Sequence, residues 1–507
     1  LLITVNAGTA GIRKPLMKDK KKARRKNAPV TESAPELLNR VRDLAIRYDF
    51  LLLFILVYIV YNTVSQMTMS GDTNPAAFLP LSIILHQTLN FDAFIGTGLG
   101  PNVAYAFPLV NGHYVSLFPI VTPILITPVY LVSYLLYTVF QVPLDITGIM
   151  VLAKTSATII AALSCVFVYL CGKELFPRRI ALATALVYAF ATSTWSVSSQ
   201  ALWQHGTVEL LLILLIYLVI RNERERSRNT IIFMGLLTGL FLFNRPPDAV
   251  LLIPIIGYIV WYERQNLPVY AVSAAITGLP FLAYNLSTFG TVFGGYSQNL
   301  GFFSFSLESI GNFAGLLVSP NVGLLVFSPV LLLSVFGYLK LQTIPAVRVR
   351  QVLVVFGPAI VLEILVYSFF GLWESSVAFS YGQRFLTGFV PVLAILVGIA
   401  LHEFFTAGPV TSRTRVIRAV IVLLILSSAI IQAVGVFFYP LYPDRSSGSE
   451  KTWDWNHSIV IESCRYGISH TDSITTYSFP PLPPLLHLQF NKTGADSPQP
   501  NSPAAAG

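Results

Sequence analysis

Long apolar runs, separated by short polar or basic segments, dominate the sequence from residue 49 onward. Runs of about 20 residues are long enough to cross a lipid bilayer as helices. They lie at about 49–66, 116–139, 146–171, 179–194, 205–220, 230–243, 249–262, 268–284, 322–339, 351–370, 385–403 and 416–439. We therefore expect an all-α polytopic membrane protein with about 11–13 transmembrane helices.

Composition supports this expectation. The 507-residue chain is 54% hydrophobic and only 11% charged, whereas soluble globular proteins carry roughly 25% charged residues. So few charges cannot cover the surface of a water-soluble protein of this length. The 35 Phe, 23 Tyr and 6 Trp residues suit contact with lipid and anchoring at the membrane interface. A soluble fold is therefore excluded.

Most of the net charge of +9 lies before the first apolar run. Residues 1–47 contain 12 Lys and Arg but only 4 Asp and Glu. A basic run such as 18–26 occurs in nucleic-acid-binding segments, but beside a membrane helix it is typical of a cytoplasmic anchor attracted to anionic lipids. We predict a basic cytoplasmic N-terminal segment over 1–47 and no nucleic-acid partner.

Later loops alternate between basic and polar. Basic loops, which the positive-inside rule assigns to the cytoplasm, lie at 173–179, 221–228, 264, 340–350 and 413–418. The opposite face collects 192–206, 244–248, 285–321, 371–384 and everything after 440. We predict a multi-pass plasma-membrane protein whose chemistry lies on the external side. Its transmembrane domain spans 48–440, and 441–507 form an external, partly disordered tail because their end is rich in Pro, Ala and Ser.

The number of crossings before residue 173 stays open. Three apolar runs separate the basic segments 1–47 and 173–179, although two cytoplasmic segments require an even number. Either residues 76–88 also cross, or one run stays in the interface. We favour a long first external loop at 67–115 that carries juxtamembrane helices.

Two carboxylates in this first loop are candidates for acid–base chemistry. Asp72 follows Gly71 just after the first helix, and Asp92 lies further along the loop. An acidic residue at the membrane boundary is costly unless it is hydrated or functional, and such a carboxylate can deprotonate an acceptor hydroxyl. The alternative for Asp72 is a polar turn that ends the helix.

Two arginines on the predicted external face are candidates for binding phosphate. Arg245 lies in Phe-Asn-Arg-Pro-Pro-Asp at the end of an apolar run, and Arg384 lies at the start of another. The planar guanidinium fork suits a phosphate. The alternatives are a structural salt bridge from Arg245 to Asp248 and a pairing of Arg384 with Glu374.

Aromatic and amide groups on the same face suit a sugar, which needs an apolar surface and directed hydrogen bonds. Trp203, Gln204 and His205 lie in a polar stretch between two apolar runs. Tyr114 places a hydroxyl near the headgroups within Asn-Gly-His-Tyr-Val-Ser. An aromatic-belt turn and a simple hairpin are the respective alternatives.

Motifs of other chemistries are missing from the sequence. It contains no Walker loop, no Gly-x-Gly-x-x-Gly ahead of a helix, no His/Cys metal cluster and no nucleophile elbow. ATP-driven transport and hydrolase chemistry are disfavoured accordingly, and no metal ligand is assigned.

Taken together and in order, these segments resemble the GT-C superfamily of integral-membrane glycosyltransferases, in the branch related to protein O-mannosyltransferases and aminoarabinose transferases. The resemblance covers roughly residues 48–440. The stretches that carry it are SGDT, NGHYVSLFP, WQHG, FNRPP, YNLSTFG with GGY downstream, VGLLVFSPV and YGQRFL.

The resemblance implies a GT-C-like helix bundle and a role for each candidate residue. Asp72 would be the general base, with Asp92 in reserve, and Arg245 and Arg384 would hold the lipid phosphate. A further group would shape the pocket: Trp203, Gln204 and His205 around the sugar, and Tyr114 on the donor side.

The implied activity is that of a hexosyl- or pentosyltransferase. It would move a sugar from a polyprenyl-phosphate donor to a hydroxyl of a glycan, lipid or protein on the non-cytoplasmic face of the bilayer. No cofactor is required by this scheme; some relatives use a divalent cation and others none. Two other functions stay open: a transporter or flippase of lipid-linked glycans, and a catalytically silent membrane subunit with the same fold.

Overall fold

The structure is a computed structural model that describes residues 46–63, 71–95, 105–141, 144–375, 380–406, 411–439 and 452–469. The chain forms two compact units, Leu1–Asp49 and Phe50–Gly507, and the architecture below is that of the second. The predicted basic segment lies almost entirely outside the described residues, as does the Pro-rich end of the predicted tail.

The described residues are predominantly α-helical. The first eight helices are α1 (Asp49–Tyr61), α2 (Thr73–Leu81), α3 (Val121–Val139), α4 (Ile146–Leu175), α5 (Arg178–Phe190), α6 (Gln204–Arg224), α7 (Arg228–Asn244) and α8 (Ile253–Tyr262). The next eight are α9 (Leu267–Phe289), α10 (Glu308–Val318), α11 (Leu324–Phe327), α12 (Leu332–Leu339), α13 (Val347–Ser368), α14 (Val390–Thr406), α15 (Ser412–Phe437) and α16 (Ile459–Ser469). One hairpin pairs β1 (Leu109–Val110) with β2 (His113–Tyr114) in antiparallel register.

Short helical turns of other types join these helices. Two are π-helical, Ser82–His86 and Thr194–Ser198. The 3-10 turns are Asp92–Phe94, Pro246–Leu252, Arg264–Asn266, Gly294–Phe302, Pro329–Leu331, Leu341–Thr343, Trp373–Ser375 and Thr387–Phe389.

Within the described part of the chain, seven helices are long and apolar enough to cross a membrane. They are Val121–Val139, Ile146–Leu175, Gln204–Arg224, Arg264–Phe289, Val347–Ser368, Thr387–Thr406 and Ser412–Phe437. Five shorter apolar helices accompany them. A helix satisfies its backbone hydrogen bonds internally, which lipid requires. The prediction of an all-α polytopic membrane protein is confirmed.

One predicted helix is broken. The apolar run 322–339 forms α11, a 3-10 turn and α12, because Pro329 has no backbone N–H and cannot continue a helix. The next amide, that of Val330, donates instead to the hydroxyl of Ser428 on α15 over 2.8 Å. The break therefore attaches the segment between α11 and α12 to α15.

Helices α7 and α9 pack closely through glycine. A Cβ at Gly235 would lie 2.5 Å from the carbonyl oxygen of Tyr270, and one at Gly239 would overlap the carbonyl of Ala274. Small residues allow helix backbones to approach in this way within a membrane. The contact fixes the end of α7, which leads into Arg245.

The first loop contains a buried helix and a hairpin. All nine residues of α2 are buried, and its apolar side chains from Ala76 to Leu81 pack in a cluster with Phe91 and Tyr130. Asn111 and Gly112 form the hairpin turn with positive φ of 53° and 83°, as tight two-residue turns require. The hairpin considered from the sequence for this segment is present.

Asp92 bonds to the second strand of this hairpin from the 3-10 turn Asp92–Phe94. Its Oδ2 lies 2.6 Å from Nδ1 of His113, and its Oδ1 accepts the amide of Tyr114 over 2.8 Å. The hydrogen bond from His113 is the main reason why the pKa of Asp92 lies below its ordinary value of 3.8.

The described part of the tail packs on the helical domain. The amide of Ile459, at the start of α16, donates to Oδ1 of Asn321 over 2.6 Å. The hydroxyl of Ser458 donates to the carbonyl of Pro320 over 3.1 Å. Residues 452–469 are thus attached to the turn that precedes α11.

The α7–α9 contact predicts a stability effect. Gly239→Val should destabilise the protein by about 1–3 kcal/mol, because overpacking forces two backbones apart. Gly311→Val is the matched control, since a Cβ at Gly311 on α10 meets nothing within 4 Å. Thermal unfolding in detergent should show a lower midpoint for Gly239→Val alone. Equal midpoints for the two variants would contradict this packing.

The hairpin predicts a pH-dependent effect. Because the pKa of Asp92 is lowered in the folded state, its ionised form stabilises the fold above its unfolded pKa. That contribution is lost as the pH falls through the lowered folded pKa, below 3.8. Wild type should therefore unfold at a higher temperature than Asp92→Asn at pH 6, with the difference vanishing near the acid end. A difference that persists unchanged at low pH would refute the assignment.

Candidate active site

A cavity of about 440 Å³ collects residues from widely separated parts of the sequence. It is lined by Asp72, Tyr105, Phe118, His205, Arg245, Pro246, Pro247, Phe293, Tyr296, Asn299, Leu300, Phe303, Val366, Tyr367, Phe370, Leu372, Arg384 and Phe385. Four of the eight residues singled out in the sequence are among them. One carboxylate, one imidazole and two guanidinium groups thus face a shared, mostly apolar space.

Asp72 reaches the cavity from the residue that precedes α2. It occupies the N-cap position, but its side chain makes no capping hydrogen bond to the helix. Gly71 is needed beside it, because a Cβ there would overlap the hydroxyl of Tyr105. Burial raises the pKa of Tyr105, and the charge of Asp72 raises it further. The turn is therefore built around a carboxylate and a phenol that line one wall.

Arg384 forms an ion pair with Asp72, with 3.7 Å between Nη2 and Oδ2. Its guanidinium also lies over two aromatic rings, 4.7 Å from the centroid of Trp203 and 5.1 Å from that of Phe385. Contacts of a cation with aromatic faces are attractive, and more so away from water. Glu374, the partner considered for Arg384 from the sequence, hydrogen-bonds to Thr452, and burial raises its pKa.

Arg245 is buried and held by a carboxylate. Its Nη1 donates to Oδ1 of Asp248 over 2.5 Å and to the carbonyl of Phe385 over 3.3 Å. The hydroxyl of Tyr367 donates to the same Asp248 oxygen over 2.9 Å, and the Arg245 guanidinium lies 5.2 Å from the Tyr367 ring centroid. The salt bridge considered from the sequence is present, and Arg245 nevertheless lines the cavity.

Local backbone chemistry explains the position of Arg245. Helix α7 ends at Asn244, and Pro246 and Pro247 start a 3-10 turn immediately after Arg245. Asn244 accepts the hydroxyl of Thr122 over 2.7 Å and donates to the carbonyl of Gln204 over 2.9 Å. The ends of α3, α6 and α7 therefore meet at one buried amide.

The three predicted sugar-pocket residues divide between two positions. His205 lines the cavity, and its Nδ1 is a buried atom without a hydrogen-bond partner among the described residues. Trp203 is buried beneath the Arg384 guanidinium. Gln204 is buried at the start of α6, where its carbonyl accepts Asn244. His205 is therefore the member of this group that faces the cavity.

Asp92 and Tyr114 do not belong to the cavity lining. Tyr114 lies in the hairpin described above, and Asp92 lies in the 3-10 turn Asp92–Phe94, from which its carboxylate accepts the Tyr114 amide. The structure thus separates the two carboxylates of the first loop by position, with Asp72 in the cavity and Asp92 bonded to the hairpin outside the cavity lining.

A buried polar network, not anticipated from the sequence, supports the Trp203 segment. The Lys154 amine on α4 donates to the carbonyl of Ser199 over 3.0 Å and to Oε1 of Gln200 over 2.5 Å. Glu209 on α6 accepts the hydroxyl of Tyr188 over 2.6 Å and that of Thr194 over 3.1 Å. Charged residues within apolar runs were the available sequence signal for both.

Other cavity residues were also not anticipated. Tyr105 and Tyr367 had no distinguishing sequence context: Tyr105 lies in the first loop, and tyrosines at membrane helix ends, such as Tyr367, are common. Tyr296, which hydrogen-bonds to Arg245, lies in the GGY stretch noted in the sequence. Among the described residues, no group of three or more His, Cys, Asp or Glu side chains is arranged to hold a metal ion.

Comparisons with known proteins bear on this site. Residues 153–287 match the model of the dolichyl-phosphate-mannose-protein mannosyltransferase family, a segment that includes His205 and Arg245. A search of curated proteins finds no match.

Two solved structures are similar to the chain at low sequence identity. One is ArnT from Cupriavidus metallidurans bound to undecaprenyl phosphate, with 12% identity over 85% of this chain and 76% of that one, at a TM-score of 0.46. The other is the Archaeoglobus fulgidus oligosaccharyltransferase in its apo form, with 11% identity over 80% of this chain and a TM-score of 0.48. The chain spans 59% of the length of the Archaeoglobus protein.

The family match includes part of the cavity and two of the ordered motifs, WQHG and FNRPP. The predicted resemblance to integral-membrane glycosyltransferases is confirmed over residues 153–287, where the chain is similar to the dolichyl-phosphate-mannose-protein mannosyltransferase family.

Proposed function

We propose that this protein moves a sugar from a polyprenyl-phosphate donor to an acceptor hydroxyl on the non-cytoplasmic face of the membrane. The observation that carries the proposal is the shared cavity, in which the Asp72 carboxylate faces the same space as Arg245 and Arg384. The matched family acts with dolichyl-phosphate-mannose, which is a sugar on a polyprenyl phosphate.

The two arginines suit the donor phosphate. A phosphodiester at this depth needs positive partners, because an unpaired charge is costly where water is scarce. Arg245 and Arg384 both reach the cavity and lie 5.9 Å and 5.1 Å from the centroid of the Phe385 ring. Both guanidinium forks thus lie near one ring of the cavity wall, and such forks bind phosphate oxygens in a fixed geometry.

Asp72 suits the role of general base. In the proposed step, the acceptor oxygen attacks the anomeric carbon while the bond from that carbon to the phosphate oxygen breaks. The bonding pair leaves with the phosphate, and the proton of the acceptor hydroxyl passes to Asp72. A single displacement of this kind inverts the anomeric centre. The lipid phosphate is the other product.

Aromatic and polar groups next to the charges suit the sugar. His205 lines the cavity, and its ring lies 6.1 Å from that of Phe385. Such a site combines an apolar surface with a directed polar contact, as sugar recognition requires. Trp203 supports Arg384, and Gln204 fixes the start of α6.

The helix ends support the proposed sidedness. His205 and Arg245 lie at one end of α6 and α7, and Tyr367 lies at the matching end of α13. The opposite ends carry basic residues: Arg221 and Arg224 on α6, Arg228 on α7, and Arg348 and Arg350 on α13. Because basic ends favour the cytoplasm, this arrangement supports an external cavity in a plasma-membrane protein.

A transfer assay tests the proposal and separates it from the alternatives. Purified protein in nanodiscs would receive radiolabelled polyprenyl-phosphate sugars and a mixed extract of glycan, lipid and protein acceptors. Wild type should transfer label, and Asp72→Asn should lower kcat about 10²–10⁴-fold because the proton has no acceptor. Arg245→Ala should also lose transfer. Asp454→Asn, on the tail outside the cavity, is the matched control and should keep it.

Other results of this assay would support a different base or a different function. Transfer by Asp72→Asn at the wild-type rate would refute Asp72 as the base, and loss with Asp92→Asn alone would assign the role to Asp92. Movement of donor across the bilayer without transfer would identify a flippase. A folded wild type that is inert with every donor, with and without added divalent cation, would support a silent subunit.

A further inference from the structure

We infer that Arg384 is a counter-ion shared between Asp72 and the lipid phosphate, so that the carboxylate and the phosphate compete for one guanidinium. The inference rests on the proposed function and deepens it. It concerns how Arg384 compensates the negative charge of Asp72 and of the phosphate during transfer.

The geometry of Arg384 places it between the two groups. Its Nη2 lies 3.7 Å from Oδ2 of Asp72, and the two side chains are only 8% and 15% exposed. Both residues line the cavity. The rings of Trp203 and Phe385 hold the flat guanidinium, which leaves it little freedom to swing away. A ligand anion that enters the cavity therefore meets Arg384 together with its carboxylate partner.

Arg245 provides the contrast. Its partner Asp248 is completely buried, does not line the cavity, and is also held by Tyr367. The Arg245 pair is thus shielded from a ligand on its carboxylate side. The Arg384 pair is the one whose carboxylate and cation both face the ligand.

The charges of the proposed reaction fit a shared counter-ion. The donor is a phosphodiester with one negative charge, and the leaving lipid phosphate is a monoester that gains a second. The acceptor proton meanwhile neutralises Asp72. Negative charge disappears from one neighbour of Arg384 as it appears at the other. The guanidinium can therefore compensate both states without a large movement, which is an efficient form of electrostatic stabilisation.

The same arrangement has a consequence for product release. When Asp72 loses its proton, its carboxylate again pairs with Arg384 and repels the phosphate. Ionised Asp72 should therefore weaken the binding of polyprenyl phosphate, and it should do so largely through Arg384.

A binding experiment tests this coupling without relying on turnover. The Kd of polyprenyl phosphate would be measured in nanodiscs for wild type, Asp72→Asn, Arg384→Gln and the double variant. Asp72→Asn should bind about tenfold more tightly than wild type, because Arg384 is released from its carboxylate. Arg384→Gln should bind more weakly, and adding Asp72→Asn to it should restore little.

Two further variants sharpen the test. In an Arg245→Gln background, Asp72→Asn should still tighten binding about tenfold, because Arg245 has its own carboxylate. Asp72→Ser repeats the measurement with a second neutral side chain if Asp72→Asn does not fold. Thermal unfolding of every variant checks that the comparison is made between folded proteins.

The results separate the inference from the proposed function. Unchanged affinity in both Asp72 variants, or tightening that persists in full without Arg384, would overturn the shared counter-ion while leaving the transferase proposal intact if wild type transfers sugar. A wild type that neither binds polyprenyl phosphate nor transfers sugar would overturn both.

Discussion

The cavity depends on one constraint: charges buried at the ends of apolar helices must be compensated within the protein. Arg245 is 2% exposed and its partner Asp248 is fully buried, so neither charge has enough water to be stable alone. Arg384 and Asp72 form the second pair. Because these residues come from distant positions in the sequence, compensating their charges brings the first loop, the end of α7 and the segment after α13 to one place.

The two ion pairs differ in whether their carboxylate faces the cavity. The Asp248 carboxylate is enclosed by Arg245 and Tyr367, which makes that pair a fixed part of the wall. The Asp72 carboxylate lines the cavity with its arginine, so its surroundings change when a ligand enters. Aromatic rings support both guanidinium groups without neutralising them. In the proposed reaction, such a site would bind an anion and move a proton with little rearrangement of its own.

Much of this molecule was accessible from the sequence, and what was not has physical reasons. Apolar runs of membrane length located nearly every long helix, but the break at Pro329 and the buried helix α2 depend on packing against other segments. Arg245 and Asp72 were identified because charge is rare among apolar residues. The pairing of Asp72 with Arg384 is a contact between distant residues that no local pattern predicts. Likewise, the resemblance ranked Asp72 ahead of Asp92, but the contacts of Asp92 with His113 and Tyr114, which keep it out of the cavity lining, join residues that are distant in the sequence.

The most direct test of this account is an experimental structure of the protein in nanodiscs with polyprenyl phosphate. We expect the phosphate in the cavity, within hydrogen-bond distance of both Arg245 and Arg384, with the lipid chain leaving toward the bilayer. The distance between Arg384 and Asp72 should also be longer than the 3.7 Å found here. A phosphate bound elsewhere, or one that contacts neither arginine, would contradict the central claim.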